Sequence, residues 1–262
     1  MNPDGPLIVQ SDRTVLLEVQ NPSADAARHA LAVFAELERA PEHMHTYRIT
    51  RLGLWNARAA GHTAEEIIAT LEEHSKFPLP PGIVDEISDT IRRYGQIEIT
   101  REGEDLFIAC ENPTIEAEIT RTQKIAELLG ERDDQGRFPL AAWSRGLIKQ
   151  ELLKKGWPAA DHAGFTEGEP HDIGLTAGEW SLRDYQLEAV RRFAASGSGV
   201  VVLPCGAGKT LVGAGVMAEL DTTTLILVTN TVSARQWRAE LLARTSLTED
   251  EIGEYSGSVK EI

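Results

Sequence analysis

The spacing of apolar residues changes several times along the chain, and each change predicts an element. Residues 14–19 read as a short strand, and a stretch opened by Pro22 runs as a helix to about Arg39. On that helix Ala26, Ala30, Val33, Phe34 and Leu37 share one face. Residues 47–50 look extended, and three helical patterns follow at 52–60, 63–75 and 81–94. The second begins with a capping box, Thr63 with Glu66. The third begins at a proline and stops at Gly95, the usual asymmetry of helix ends. A hairpin is predicted from 96–100 and 105–110 around Arg101-Glu102-Gly103-Glu104. Three helices and a hairpin suggest a winged-helix-like α+β unit.

Further on, residues 112–121 read as a helix and 131–137 as a loop or hairpin turn. Residues 143–157 form an amphipathic helix, with Arg145, Lys149, Lys154 and Lys155 interleaved among Leu147, Ile148, Leu152 and Leu153. Residues 159–178 are rich in Gly, Pro, His and acidic side chains and read as a connector. A helix to about Ala195, a buried-type strand at 199–203, a helix at 211–220, a second such strand at 223–229 and a helix at 233–244 complete the chain. Strands alternating with helices predict the start of a RecA-like parallel sheet. The expected architecture is therefore multidomain, α/β and α+β. It comprises a winged-helix-like region (1–120), a small middle α+β domain with the connector (121–175) and a partial RecA-like domain (176–262).

Charge sharpens this picture. The net charge is −15, and residues 1–120 carry 10 basic against 21 acidic residues. Such a surface is a poor general binder of nucleic acid, because phosphate contact needs Lys and Arg to displace counterions. Helix 81–94 could meet DNA in a winged-helix arrangement, yet it carries Asp85, Glu86 and Asp89 before Arg92 and Arg93. A scaffold or protein-contact role fits it better. The basic helix 143–157 is the local exception, readable as a phosphate-contacting surface or as a solvated face. Two cysteines make no disulfide framework, no Cys or His spacing suits zinc, and His43 and His45 read as surface residues. No apolar run is long enough for a membrane helix and the N-terminus is no signal peptide, so the expected location is cytoplasmic.

The sharpest chemical signal is Gly199-Val200-Val201-Val202-Leu203-Pro204-Cys205-Gly206-Ala207-Gly208-Lys209-Thr210. An apolar run feeding a glycine-rich turn that ends in Lys-Thr at a helix start is the context of a Walker A phosphate loop. Glycines let consecutive amides turn inward as an anion nest, and the helix dipole points at the same place. Lys209 would reach the β- and γ-phosphates of ATP, and Thr210 would ligate Mg²⁺. Leu203 stands where the full pattern asks for glycine.

Leu182-Arg183-Asp184-Tyr185-Gln186 precedes this loop, and Val228-Thr229-Asn230 with Ala234-Arg235-Gln236-Trp237 follows it. Together they resemble the Q-like motif, motif I and motif Ia of a superfamily-2 helicase. The loop wording closely resembles bacterial members of the XPB DNA-repair helicase family. Thr46-Tyr47-Arg48-Ile49-Thr50, Leu54-Trp55-Asn56-Ala57 and Tyr94-Gly95 are similar to that family's N-terminal region. Residues 148–158 are similar to its damage-recognition domain. The resemblance implies that Gln186 reads the adenine edge with Arg183 packed nearby. Cys205, Gly206, Ala207, Gly208, Lys209 and Thr210 would hold the triphosphate and Mg²⁺, Lys209 and Thr210 serving catalysis as well. Thr229, Arg235 and Gln236 would lie along single-stranded DNA, with Arg145, Lys149, Lys154 and Lys155 as further DNA contacts. The implied activity is ATP-driven 3′→5′ movement on DNA in repair. Implied partners are a single strand or damaged duplex and a nuclease or other repair protein.

No Asp-Glu-x-His stretch follows Lys209 before Ile262, and no second RecA-like domain is present. Those parts position water and stabilise charge in phosphoryl transfer, so the chain alone is expected to lack helicase and ATPase activity. A non-catalytic DNA- or partner-binding module with a vestigial phosphate loop is the alternative. A small-molecule kinase is the third reading, and Arg183 to Gln186 argue against it.

Overall fold

The structure is a computed structural model describing every residue except Met1, Ala177, Glu179, Ser258 and Ile262. Its residues divide into two compact units, 1–164 and 165–262.

The first unit holds two cores. Strands β1 (Leu7–Val9), β2 (Thr14–Glu18), β3 (Ala35–Arg39) and β4 (Met44–Ile49) form an antiparallel sheet in the order β1-β2-β4-β3. Helices α1 (Ala24–Leu31), α2 (Arg51–Ala59), α3 (Ala64–His74) and α4 (Pro81–Arg93) accompany it. Leu7, Leu17, Leu31, Phe34, Ile49, Leu54, Leu71, Ile83 and Ile87 fill the space between. Local chemistry sets the helix ends here. Thr63 accepts from the Glu66 amide at 3.2 Å while the Glu66 carboxylate accepts from the Thr63 amide at 3.0 Å, closing the expected capping box. Thr50 caps α2 by accepting from the Gly53 amide at 2.9 Å. The stretch 22–39 is a correction: its helix ends at Leu31, and Ala35–Arg39 pairs with β4 instead. Ala, Glu, Leu and Arg favour helix locally, but a free sheet edge overrides that preference.

The second sheet has the order β7-β6-β5-β8, from β5 (Ile97–Glu102), β6 (Asp105–Cys110), β7 (Phe138–Leu140) and β8 (Ala159–Asp161). Helices α5 (Pro113–Thr120), α6 (Gln123–Ala126) and α7 (Arg145–Lys155) complete its core with Ile115, Ile119, Ile125, Ile148 and Leu152. The predicted hairpin is present as β5 and β6. It does not serve as a wing to the three preceding helices, however, because β8 pairs in parallel with β5 and β7 pairs with β6. The winged-helix-like expectation for 1–120 is corrected accordingly.

The second unit contains α8 (Asp184–Ser196), α9 (Lys209–Leu220) and α10 (Thr231–Arg244) around Ile173, Ala214, Met217, Leu241 and Leu247. Gly213 lets Trp237 of α10 lie against α9, where a Cβ would clash with the indole. Much of the expected connector is a strap on this unit. Ile173 is buried in the core, the Thr223 amide donates to the Glu169 carbonyl, and the Ser246 amide donates to the Gly174 carbonyl. The runs 199–203 and 223–229 are not in strands, which corrects the parallel sheet expected there. Val200, Val202, Leu225 and Leu227 are all more than four-fifths exposed. β-branched sequence makes a strand only where a neighbouring chain completes the ladder, and neither run has one here.

Candidate phosphate loop and basic helix

Between the run 199–203 and α9, the chain makes two left-handed glycine turns. Gly206 has φ +78° and Gly208 has φ +77°, values that cost other L-residues. Gly208 is also the N-cap of α9, and a Cβ there would stand 2.5 Å from Nε2 of Gln186. The Leu211 and Val212 amides donate to the Gly208 carbonyl, so helical bonding begins beyond the loop. Among the described residues, the amides of Gly206, Gly208, Lys209 and Thr210 have no protein acceptor. These donors stand at the start of a 12-residue helix, where the dipole favours negative charge. The Lys209 ammonium folds over the loop and donates to the Pro204 carbonyl at 3.0 Å. Cys205 is exposed and Thr210 is half-buried. A cluster of amide donors, an ammonium and a hydroxyl suits an anionic phosphate chain with its Mg²⁺. Thr210 is the candidate Mg²⁺ ligand within it.

Helix α8 braces this loop. Gln186 is buried, its side-chain oxygen accepting from the Arg183 amide at 2.8 Å and its Nε2 donating to the Ala207 carbonyl at 3.0 Å. Tyr185 donates its hydroxyl to the same carbonyl at 2.9 Å. Arg183 is exposed at the start of α8 and reaches the Tyr185 hydroxyl at 3.4 Å. Sequence reasoning missed the role of Tyr185; its only sequence signal is adjacency to Gln186. Thr229, Arg235 and Gln236 lie elsewhere, exposed at the N-terminal part of α10, which Asn230 caps through the Ser233 amide at 2.8 Å.

The basic helix α7 is more neutral than its sequence suggests. Arg145 donates to both carboxylate oxygens of Asp161, at 3.0 and 2.7 Å, and Lys149 donates to Asp161 at 2.8 Å. Arg145 also holds the Gly164 carbonyl at 2.7 Å. Burial pushes the Asp161 carboxyl upward, but the Arg145 and Lys149 hydrogen bonds outweigh it and hold the pKa at about 2. Lys154 pairs with Glu151 on the same helix. Lys155 is exposed, and Gly156 ends the helix at φ +80°. Asp161 carries no motif signal, since it meets the helix from 12 and 16 residues away in sequence.

The described residues include no helix long and apolar enough to cross a membrane. Residues 7–134 match the family model "Helicase conserved C-terminal domain", and residues 179–262 match "Type III restriction enzyme, res subunit". The chain is 58% identical over 260 residues to a "DNA 3'-5' helicase XPB" of Kineococcus radiotolerans, covering 99% of this chain and 47% of that protein. A protein of the same name from Mycobacterium tuberculosis is 56% identical over 260 residues, with the same two coverages. The "General transcription and DNA repair factor IIH helicase/translocase subunit XPB" of Enterocytozoon bieneusi is 28% identical over 98% of this chain and 44% of its own length. The chain thus spans about half the length of these relatives. With motif-bearing residues of both units inside one near-full-length match at this identity, the chain belongs to the XPB family of superfamily-2 helicases.

Proposed function

We propose that this chain binds ATP with Mg²⁺ at residues 204–210 and forms part of a 3′→5′ DNA helicase acting in repair. The observation that carries the reading is the row of unpartnered amides at Gly206, Gly208, Lys209 and Thr210, beside the Lys209 ammonium. Backbone donors already free of protein acceptors need break no internal hydrogen bond when an anion arrives. Lys209 would exchange the Pro204 carbonyl for the terminal phosphates, and the Thr210 hydroxyl would hold Mg²⁺, which would supply neutralisation of phosphate charge. Thr229, Arg235 and Gln236 offer a polar, exposed helix start to a single strand. Arg145, Lys149, Lys154 and Lys155 supply a second, partly masked set of phosphate contacts. A damaged duplex and a nuclease or other repair protein are the partners that fit this assignment.

Equilibrium titration of Mg²⁺-ATP tests this reading. Saturable, Mg²⁺-dependent binding is expected. No binding at all would favour the non-catalytic module with a vestigial loop.

A further inference from the structure

Helix α9 starts at the phosphate loop, and helix α10 carries the exposed Arg235 and Gln236 in its first turns. One contact joins the two helices close to both of these ends. The outer ring of Trp237 lies against Gly213, with Cη2 and Cζ3 in the space a Cβ would take. Gly213 stands one helical turn beyond Lys209 on the same face of α9, and Trp237 directly follows Gln236. Glycine inside a helix is unfavourable beside alanine and calls for a packing reason, which the indole supplies. Val232 is 72% exposed, so Trp237 is the first large apolar side chain of α10 to reach the core of this unit. From Trp237 onward the helix is held. Leu241 is buried, and Arg238 donates to the Ile252 carbonyl at 2.6 Å and to the Glu249 carbonyl at 3.2 Å. Residues 231–236 extend ahead of that hold, so their direction is set at the contact between Gly213 and Trp237.

We infer that Trp237 is a positioning residue, keyed into the notch at Gly213, through which the phosphate loop and the exposed start of α10 respond to one another. Lys209 leaves the Pro204 carbonyl, and the amides at the start of α9 become engaged, when nucleotide binds at 204–210. Close-packed interiors pass on small shifts. A shift in the first turn of α9 reaches the indole one turn later, and with it Arg235 and Gln236. The inference rests on the proposed binding of ATP and single-stranded DNA, and adds the residue that links them. By thermodynamic linkage, each ligand changes the affinity for the other by the same factor.

The test measures the affinity of a fluorescein-labelled oligothymidylate with and without saturating Mg²⁺-adenylyl imidodiphosphate. It uses the 262-residue chain, Gly213→Ala, Trp237→Phe and the double variant. In the unmodified chain the nucleotide analogue should change oligonucleotide affinity by roughly 5-fold or more, the low end of coupling between sites. Gly213→Ala pushes the indole out and Trp237→Phe withdraws it. Each should bring the factor down by about 2-fold or more, with affinity for the analogue alone unchanged. In the double variant the added methyl fills the place of the lost ring, and the factor should recover. Urea unfolding of every variant separates loss of fold from loss of linkage, and Trp237→Phe, which keeps an aromatic ring, carries the test where Gly213→Ala fails to fold. A factor near unity in the unmodified chain, or one that Trp237→Phe retains in full, overturns the inference while leaving both binding sites in place. Failure of the unmodified chain to bind either probe removes the proposed function itself, and the inference with it.

Discussion

Lys209→Ala is expected to weaken Mg²⁺-ATP binding by about 10²–10³-fold, roughly 2.7–4 kcal/mol by analogy with removal of one oxyanion donor. The ammonium is exposed and meets only the Pro204 carbonyl at 3.0 Å, a contact readily exchanged for phosphate. Its loss leaves the fold intact, because none of the three cores uses the side chain. Affinity should fall without a change in unfolding midpoint, and calorimetric titration with parallel urea unfolding measures both. Equal affinity in the variant would mean that nucleotide, if bound, sits away from 204–210.

Asp161→Asn is expected to act in two ways. The carboxylate holds Arg145 in a fork and Lys149 by a single bond, with only 11% of its side chain exposed. Its pKa of about 2, against an ordinary 3.8, is worth about 2 kcal/mol of folding stability at neutral pH. For a depressed carboxyl that stability is present above pH 3.8 and lost as pH falls through about 2. The variant should thus be less stable by about 2 kcal/mol near pH 7, and the gap should close in acid. Urea unfolding across this range measures the effect. The second effect concerns DNA. Freed from Asp161, Arg145 and Lys149 can meet phosphate, so log affinity against log salt should steepen by roughly 1.4–1.8. An unchanged slope would leave α7 as a structural brace for residues 161–164.

What could be read in advance was local. The capping box at Thr63, the stop at Gly95 and the two-strand pairing of 97–110 depend on residues a few positions apart, and each is present. The glycine loop was legible for the same reason, since Gly206 and Gly208 alone permit its left-handed turns. Non-local pairing was not legible. Residues 35–39 look helical until β4 is placed beside them, and the hairpin joins its sheet only when β8 arrives some 60 residues later. Residues 199–203 and 223–229 show the converse, strand-like in sequence yet without ladder partners among the described residues. At the site, glycine and lysine positions announced themselves, but the duties of Tyr185 and Asp161 follow from contacts 22 and 12–16 residues away.

Amide hydrogen exchange over residues 204–212, with and without Mg²⁺-ATP, addresses the phosphate loop most directly. Without nucleotide the amides of Gly206, Gly208, Lys209 and Thr210 have no acceptor and should exchange fast. With saturating Mg²⁺-ATP they should become protected, and Lys209→Ala should abolish that protection at the same nucleotide concentration. Exchange that stays fast in the presence of bound ATP would contradict the account.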